Sequence, residues 1–438
     1  MTTFFRTRRP RRAALAAAAL LGAGLTACTD VTTEPRSAVA AGNVFADPGA
    51  YRAYLARIYG GLALSGANGC CDADIQGIDA GFGQYLRAHW VLQQLPTDET
   101  VIAWDDQSAG VQELNVQNPS STNGSVGAMY ARILLQARRA SDFLAQTTDD
   151  RIAGLSTTDR AQVQTFRAEA RFLRALSYWH AIDLFGSVPL VTEETGVGTA
   201  PPQATRQQLY DFVVGELTAI RDALPAATRN PQFYGRATQG AVDMLLAKLY
   251  LNAAVYTGTA RNAEALQAAQ RVITSNAYSL ATNYLDNFLA DNQTSPELVF
   301  AVPMDGARTQ NYGGTTFLTH ASFGDNAGGV EVRRDIGVNG GWYGLRARRE
   351  FAALFDALPG DRRGSIRTGV QSIVFSTNQS PNLTTLINNF NEGFRVHKYR
   401  NVTSTGRGGA DLEFADTDFP MFRLADAYLM YAEAALRG

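Results

Sequence analysis

Apolar positions recur at helical spacing over long segments of the chain. Residues 126–145 carry a broad apolar stripe with the period of an α-helix. Ser156 and Asp159 form a capping-box pattern, which predicts the start of a second helix over residues 157–185. Gly186 then supplies a residue type that commonly ends helices. Two consecutive long helices are therefore predicted in the first half of the chain.

The second predicted helix is apolar on more than one face. One stripe consists of Ala168, Phe172, Ala175, Trp179 and Ile182, and another of Phe166, Ala170, Leu173 and Leu184. A helix with several apolar faces needs partners on all of them, so it is expected in the core of a protein. We therefore predict that residues 157–185, with Trp179 among them, are buried.

Further segments have the same helical pattern. They are residues 206–223, 238–254, 261–275, 345–356 and 420–437. Pairs of helices joined by short turns are typical of helical hairpins of the tetratricopeptide kind, although no clean repeat of about 34 residues is present. The pattern predicts a mostly α fold with helical hairpins as its scaffold.

Two long stretches have no sustained period. Residues 61–84 and 303–344 are rich in Gly, Asn, Asp and aromatic residues. Loops of such length in a folded domain usually have a function, and they are the expected location of a binding site. Short strands are predicted at residues 296–302 and 372–375, but no large sheet.

The charge balance excludes one class of function. The chain has 438 residues, of which 18% are charged, with 39 basic and 41 acidic side chains. Without an excess of basic groups, no general polycationic surface exists to bind nucleic acid through phosphate contacts. Nucleic-acid binding is therefore not expected.

The N-terminal residues have the pattern of an export signal. Five arginines precede an apolar stretch over residues 13–24, which is too short to span a bilayer, since a span needs about 20 residues. The following Leu25-Thr26-Ala27-Cys28 resembles the bacterial lipoprotein box. We predict a signal peptide at 1–27, lipidation of Cys28 and a polar tether at 28–41; the alternative is an ordinary signal peptide with an incidental cysteine.

After Cys28, only Cys70 and Cys71 remain among the three cysteines of the chain. No framework of several disulfides can therefore stabilise the fold. Two adjacent cysteines can form a vicinal disulfide in an oxidising compartment, or they can remain two loop thiols. The sequence leaves both alternatives open.

No motif for catalysis or for a metal stands out. The chain contains no GxSxG, HExxH, P-loop or CxxC pattern, and its four histidines are far apart in sequence. Asp72 and Asp74 partly imitate a calcium loop, but its twelfth position is Gly83 and not a bidentate Glu. We predict no catalytic residue, metal site or cofactor, and structural roles for the histidines.

Several segments together resemble the SusD/RagB family of outer-membrane lipoproteins. They are Glu169-Ala170-Arg171-Phe172-Leu173-Arg174-Ala175, Leu184-Phe185-Gly186-Ser187-Val188-Pro189-Leu190, Thr97-Asp98-Glu99, Gly235-Arg236-Ala237-Thr238, Gly341-Trp342-Tyr343-Gly344 and Phe422-Arg423-Leu424-Ala425-Asp426-Ala427-Tyr428. A lipoprotein box is also what this family would show.

The resemblance implies a SusD-like domain over residues 42–438 and a surface-exposed, glycan-binding protein at the outer membrane. It further implies a partner, a TonB-dependent, SusC-like barrel transporter over which the protein sits as a lid. Members of the family continue beyond the last helix, whereas this chain ends at Gly438, so we expect the domain to be truncated at its C-terminal end. The alternatives are a helical surface scaffold that binds a peptide or protein, and a glycan hydrolase.

Sugar recognition uses flat aromatic faces against the CH faces of the sugar, together with polar groups for its hydroxyls. Aromatic residues beside Asn, Asp or Gly in the long loops are therefore candidate ligand contacts. The predicted ligand-binding residues are Trp104, Asn311, Tyr312, Trp342 and Tyr343. For each of them, structural packing is the alternative.

Overall fold

α-Helices form the larger part of the secondary structure. The computed structural model of the protein describes residues 45, 48–67, 70–196, 198–324, 330–357, 361, 363, 375–377 and 389–438. Its α-helices are α1 (Pro48–Ala63), α2 (Tyr85–Gln94), α3 (Val111–Asn115), α4 (Gly124–Gln146), α5 (Asp149–Ile152), α6 (Thr157–Leu184), α7 (Arg206–Ile220), α8 (Gln239–Leu251), α9 (Ala253–Thr257), α10 (Asn262–Thr274), α11 (Gly314–His320), α12 (Arg349–Asp356) and α13 (Leu424–Arg437).

The strands are short and form small antiparallel sheets. They are β1 (Thr100–Ile102), β2 (Val188–Pro189), β3 (Gln203–Ala204), β4 (Leu298–Val302), β5 (Leu345–Ala347), β6 (Phe375–Thr377), β7 (Phe394–Val396) and β8 (Phe419–Arg423). One sheet has the order β1-β5-β7-β6, and β2 pairs with β3 and β4 with β8. The predicted mostly α fold with a few short strands is confirmed.

Local sequence signals start and end the longest helix, α6. The hydroxyl of Ser156 accepts a hydrogen bond from the backbone N–H of Asp159, as the capping pattern predicts. At the other end Gly186 has a positive φ of 76°, and its N–H donates to the carbonyl of Ala181. A left-handed residue of this kind ends a helix at little cost when it is glycine.

The long helices pack in consecutive pairs, and α6 lies in the core. Helix α4 packs on α6, α6 on α7, α8 on α10, and α10 on α13. Most residues of both predicted stripes of α6 are buried, with Phe172 and Leu173 at 0% exposure, whereas Trp179 and Leu184 are half-buried. Phe172 also contacts Phe300 of β4, at 5.3 Å between ring centroids. Packing of consecutive helices buries the stripes that no single helix can cover.

The helical pattern gave wrong assignments at two strands. Residues 345–347 form β5, which pairs with β1 and β7, and residues 420–423 belong to β8, which pairs with β4. In both segments the helix begins only after the strand. A short strand forms by pairing with strands that are remote in sequence, and the spacing of apolar residues within one segment gives no information about such pairing.

The structure also contains helices in or next to the irregular stretches that the pattern did not predict. Helix α1 includes residues 61–63, α2 follows the first long loop, and α11 lies within the second. The predicted strand at 296–302 is confirmed as β4, whereas of the strand predicted at 372–375 only Phe375 lies in the described part, where β6 begins.

The predicted signal peptide, Cys28 and the tether lie outside the described residues, so the division at residues 1–27, 28–41 and 42–438 stays a prediction. The described residues between Tyr51 and Gly438 form one compact unit. Among the helices of the described residues, none combines the length and the hydropathy that a membrane span requires.

Candidate functional site

Three of the predicted aromatic residues meet around one arginine. Trp104 follows β1, Tyr312 precedes α11, and Trp342 precedes β5. The ring of Trp342 lies 6.2 Å from that of Trp104 and 6.0 Å from that of Tyr312, measured between centroids. The guanidinium carbon of Arg87, on α2, lies 5.8 Å from the centroid of each indole. Non-local packing thus assembles a cluster from four separate segments.

The side chain of Gln84 connects the two helices, α2 and α11, that lie next to this cluster. As the N-cap of α2, its Oε1 accepts a hydrogen bond from the backbone N–H of Arg87, at 3.0 Å. The same oxygen accepts from the backbone N–H of Gly314 at 2.9 Å, at the start of α11. At Gly313, a Cβ would lie 2.3 Å from the Gln84 side chain, so glycine is required there. The first turns of α2 and α11 are therefore held together beside Tyr312.

Arg87 keeps most of its donors available. Its Nη1 donates to the backbone carbonyl of Tyr312 at 2.9 Å, and its guanidinium lies 4.6 Å from the centroid of Phe317. No ion pair of Arg87 occurs among the described residues. Burial lowers the pKa of Arg87 to about 10, while Asp79 and Asp106 act in the opposite direction. The group is charged at neutral pH and can donate further hydrogen bonds.

An open cavity of about 440 Å³ lies beside this cluster. Its lining consists of Cys70, Cys71, Asp79, Ala80, Gly81, Phe82, Arg87, Asp106, Ser108 and Tyr312. A volume of this size is in the range of small-molecule sites. The lining combines aromatic faces with a guanidinium and two carboxylates, which suits a ligand with both CH faces and hydroxyls.

The two carboxylates of the lining belong to tight turns. Asp79 Oδ1 accepts from the backbone N–H groups of Gly81 and Phe82, and Asp106 Oδ1 accepts from the N–H and hydroxyl of Ser108. These bonds orient each carboxylate with one oxygen and leave Oδ2 without a hydrogen bond among the described contacts. Each Oδ2 can accept from a ligand hydroxyl.

Tyr312 contributes both a ring face and a hydroxyl to the site. Its ring also contacts that of Phe414, at 5.4 Å between centroids. Burial and the neighbouring Glu413 carboxylate raise the pKa of the Tyr312 hydroxyl, so it is protonated at neutral pH and can donate a hydrogen bond. Among the predicted site residues, Tyr312 is the one that lines the cavity directly.

Asn311 and Tyr343 are placed differently. Asn311 is 2% exposed, and its Nδ2 donates to the Ser65 hydroxyl at 3.0 Å and to the carbonyl of Ala80 at 3.2 Å. Tyr343 lies against Gly324, and the Arg395 guanidinium is 5.6 Å from its ring centroid. Neither residue is in the lining of the cavity. Asn311 holds the first long loop in place, and ligand contact by these two residues stays a prediction.

Sequence reasoning missed Arg87, Asp79 and Cys71 as residues of the cavity. Arg87 lies between Leu86 and Ala88 near the start of a helix, a pattern that gives no sign of a binding role. The one signal available is a charged residue on an otherwise apolar helical segment, which requires an explanation when the helix is buried.

Two other polar clusters that the sequence singled out make contacts within the protein. Asp74, in the segment that imitates a calcium loop, forms ion pairs with Arg132 and Arg139. Among the described residues, no group of metal-ligating side chains could hold an ion. His89 and His180 contact each other, with ring centroids 4.1 Å apart, and His180 Nδ1 lies 2.9 Å from the Tyr85 hydroxyl.

A second cavity, of about 460 Å³, is lined by other residues, among them Tyr284, Lys398 and Arg423. Burial lowers the pKa of Lys398 to about 8, with a further lowering by Arg423. None of the aromatic residues predicted to bind a ligand lines this cavity. The first cavity is therefore the candidate site.

Comparison with known proteins agrees with the fold. Residues 363–437 match a family model described as the SusD family, and residues 88–251 match one described as starch-binding associating with outer membrane. The chain is 30% identical to the starch-binding protein SusD of Bacteroides thetaiotaomicron, over 96% of this chain and 79% of that protein. It is 26% identical to the SusD-like protein P25 of Formosa agariphila, over 53% of this chain and 44% of that protein.

Solved structures with the same fold include a laminarin-binding protein and a complex with laminarihexaose. A laminarin-binding SusD-like protein superposes with a TM-score of 0.65 at 21% identity, covering 88% of this chain and 79% of that one. Surface glycan-binding protein A from Bacteroides thetaiotaomicron, in complex with laminarihexaose, gives a TM-score of 0.65 at 19% identity, covering 89% and 78%.

Proposed function

The chain belongs to the SusD family, and from this premise we propose that it binds glycans or oligosaccharides without chemical conversion, in the cavity beside Arg87 and Tyr312. Outer-membrane association follows from the family. The observation that carries the proposed site is the lining itself, in which an aromatic face, a guanidinium with free donors and two oriented carboxylates surround one open cavity.

The chemistry of the lining supports a sugar ligand. A pyranose ring presents an apolar CH face, which can pack on Tyr312, and a rim of hydroxyls, which Arg87, Asp79 and Asp106 can bind. Trp104 and Trp342 pack against Arg87, whose guanidinium carbon lies 5.8 Å from the centroid of each indole. Starch is bound by the SusD relative and laminarin by one structural neighbour, so α- and β-glucans are the first ligands to test.

Retention on immobilised polysaccharide tests the proposal. The full chain is run through native gels that contain starch, laminarin or another polysaccharide of a panel, with bovine serum albumin as the control. We expect retarded migration in at least one gel and no new reducing ends after prolonged incubation. Released oligosaccharides would indicate a hydrolase. Migration like that of albumin in every gel would favour the helical scaffold that binds a peptide or protein.

The absence of catalysis is part of the proposal. Asp79 and Asp106 are the carboxylates of the cavity, and both are engaged in turns through Oδ1. A carboxylate held in a turn in this way can accept hydrogen bonds from the hydroxyls of a sugar. Asp79→Asn and Asp106→Asn should therefore change affinity and create no difference in reducing-end release.

A lipid anchor at Cys28 and a transporter partner complete the proposal. The supporting observation is the export signal followed by Leu25-Thr26-Ala27-Cys28. Cys28→Ser should abolish labelling by a radioactive fatty acid and release the protein from the membrane fraction; labelling that persists would contradict the anchor. Co-purification of a TonB-dependent, SusC-like barrel with the tagged wild-type chain from its own host tests the partner.

A further inference from the structure

Part of the lining of the cavity beside Arg87 is a disulfide between two adjacent residues. Cys70 and Cys71 are bonded to each other, and both line the cavity with Tyr312 and Phe82. Cys70 is half-buried and Cys71 is exposed, so the bond lies at the cavity surface. The two remaining cysteines of the chain are therefore at the candidate site.

The loop that carries the disulfide is held on both sides of it. The Ser65 hydroxyl donates to the Ala80 carbonyl at 2.5 Å, and the backbone N–H of Asp74 donates to the Ser65 carbonyl at 2.8 Å. Asp74 also pairs with Arg139 at 2.5 Å. Asn311 adds its two bonds to Ser65 and Ala80. These contacts fix the base of the loop and leave the disulfide at its cavity end.

The chemistry of a vicinal disulfide differs from that of two thiols. The bond closes a small ring through the peptide between the two residues, which removes the side-chain rotamers that free cysteines have. Its sulfurs are polarizable and weak hydrogen-bond acceptors, so the surface that they form is apolar. Such a surface suits the CH face of a sugar ring, while the polar groups of the cavity bind the hydroxyls.

We propose that the Cys70–Cys71 disulfide is a ligand-contacting surface of the glycan site, and that its reduction weakens binding. This inference rests on the proposed function. Reduction transfers two electrons from dithiothreitol: the S–S bond breaks, each sulfur takes up a proton, and dithiothreitol becomes a cyclic disulfide. The two thiols can then rotate apart, and the rigid surface is lost.

Affinity measurements with and without reductant test the proposal. Maltoheptaose and laminarihexaose are titrated calorimetrically into three samples: the parent chain, the parent chain reduced with dithiothreitol, and the Cys70→Ala/Cys71→Ala variant. We expect affinity to fall about tenfold on reduction and in the variant, in the range of contact residues at binding sites. The variant has no disulfide at this site and is the matched control, so dithiothreitol should leave its affinity unchanged.

A second measurement separates ligand contact from a purely structural role. The rate at which dithiothreitol reduces the disulfide is followed by alkylation and peptide mass spectrometry, with and without saturating oligosaccharide. A bound sugar that covers the sulfurs should slow reduction several-fold. Melting curves of the parent and the variant show whether the fold itself has changed.

The outcomes are distinct. Equal affinity of the oxidised and reduced parent, alkylation of Cys70 and Cys71 before any reductant is added, or a reduction rate indifferent to sugar would each overturn the proposal. If the parent binds neither oligosaccharide and no polysaccharide of the gel panel, the proposed function itself fails, and the disulfide proposal fails with it.

Discussion

The indole Nε1 of Trp104 donates a 2.8 Å hydrogen bond to the backbone carbonyl of Trp342, a residue 238 positions later in the chain. This bond joins the loop after β1 to the loop before β5. It is accompanied by a backbone bond from the N–H of Ala103 to the carbonyl of Gly344, at 2.8 Å. Both indoles are thereby fixed against Arg87, and a change at either loop is expected to affect the site.

Gly344→Ala should damage this contact. A Cβ at Gly344 would lie 2.1 Å from the Trp104 ring, so the indole must move. Overpacking of this kind typically costs about 1–3 kcal/mol of unfolding free energy. The matched control is Gly340→Ala, because nothing lies within 4 Å of a Cβ there. Denaturant unfolding of the two variants checks the prediction; equal stability would mean that the loop adapts without cost.

Tyr312→Ala should weaken glycan binding by about 1–3 kcal/mol and leave the fold nearly unchanged. The reason is that Tyr312 lines the cavity and is only half-buried. Tyr428→Ala is the matched control, since Tyr428 is 45% exposed on α13 and lies outside the cavity lining. Titration calorimetry against the tightest ligand of the panel gives the affinities. Parent-like binding by Tyr312→Ala would place the site elsewhere.

Arg87 is the expected source of hydroxyl recognition. Arg87→Met removes every side-chain donor and should weaken binding by about 1.5–3 kcal/mol, the contribution of hydrogen bonds to charged groups. Arg87→Lys keeps the charge but loses the planar fork, so its affinity should lie between those of the parent and the Met variant. If the Lys and Met variants bind equally well, charge has no part in recognition; affinity equal to the parent in both would exclude Arg87.

Asn311→Ala should loosen the first long loop. The substitution removes two donated bonds and leaves the backbone N–H of Gly313 without the Asn311 Oδ1 that accepts from it. A loss of about 1–3 kcal/mol in stability is expected for a buried group of this kind. Gln310→Ala, at the adjacent position, removes one described bond to Gly306 and is the control. Faster proteolysis within residues 64–84 in Asn311→Ala alone would agree with a loop-holding role, and equal proteolysis would contradict it.

The contact between His89 and His180 should make stability depend on pH. Burial lowers the pKa of His89 from 6.5 to about 4 and that of His180 well below 6.5, and His89 lowers the latter further. Below pH 6.5 the unfolded chain therefore binds protons that the folded chain does not, so stability should fall as pH decreases from about 6.5 toward 4. NMR signals of the four imidazoles and melting curves across this range provide the measurement.

His89→Phe keeps a ring against His180 and removes one of the titrating groups. Its melting temperature should therefore depend less steeply on pH than that of the parent over the same range. An unchanged slope would assign the acid sensitivity to other groups.

The sequence by itself determined the long helices, because the signals that start, end and bury a helix lie within or next to it. Ser156 caps α6 and Gly186 ends it, and both signals act within a few residues, so sequence alone predicted this helix to within a residue at its C-terminal end. The apolar stripes likewise predicted the burial of Phe172, because a helix with several apolar faces requires partners whatever those partners are.

Only the tertiary structure decided what contacts are made across long distances in sequence. The composition of the loops pointed to Trp104, Tyr312 and Trp342, but not to Arg87, which joins them from α2. The sequence did not decide whether Cys70 and Cys71 form a disulfide or remain thiols, nor that they line the same cavity as Tyr312. Strand β5 was assigned to a helix because the partners that satisfy its backbone, β1 and β7, are far away along the chain. The spacing of apolar residues shows which face of a helix or strand will be buried. The element against which that face packs depends on contacts with distant parts of the chain, which no single segment encodes.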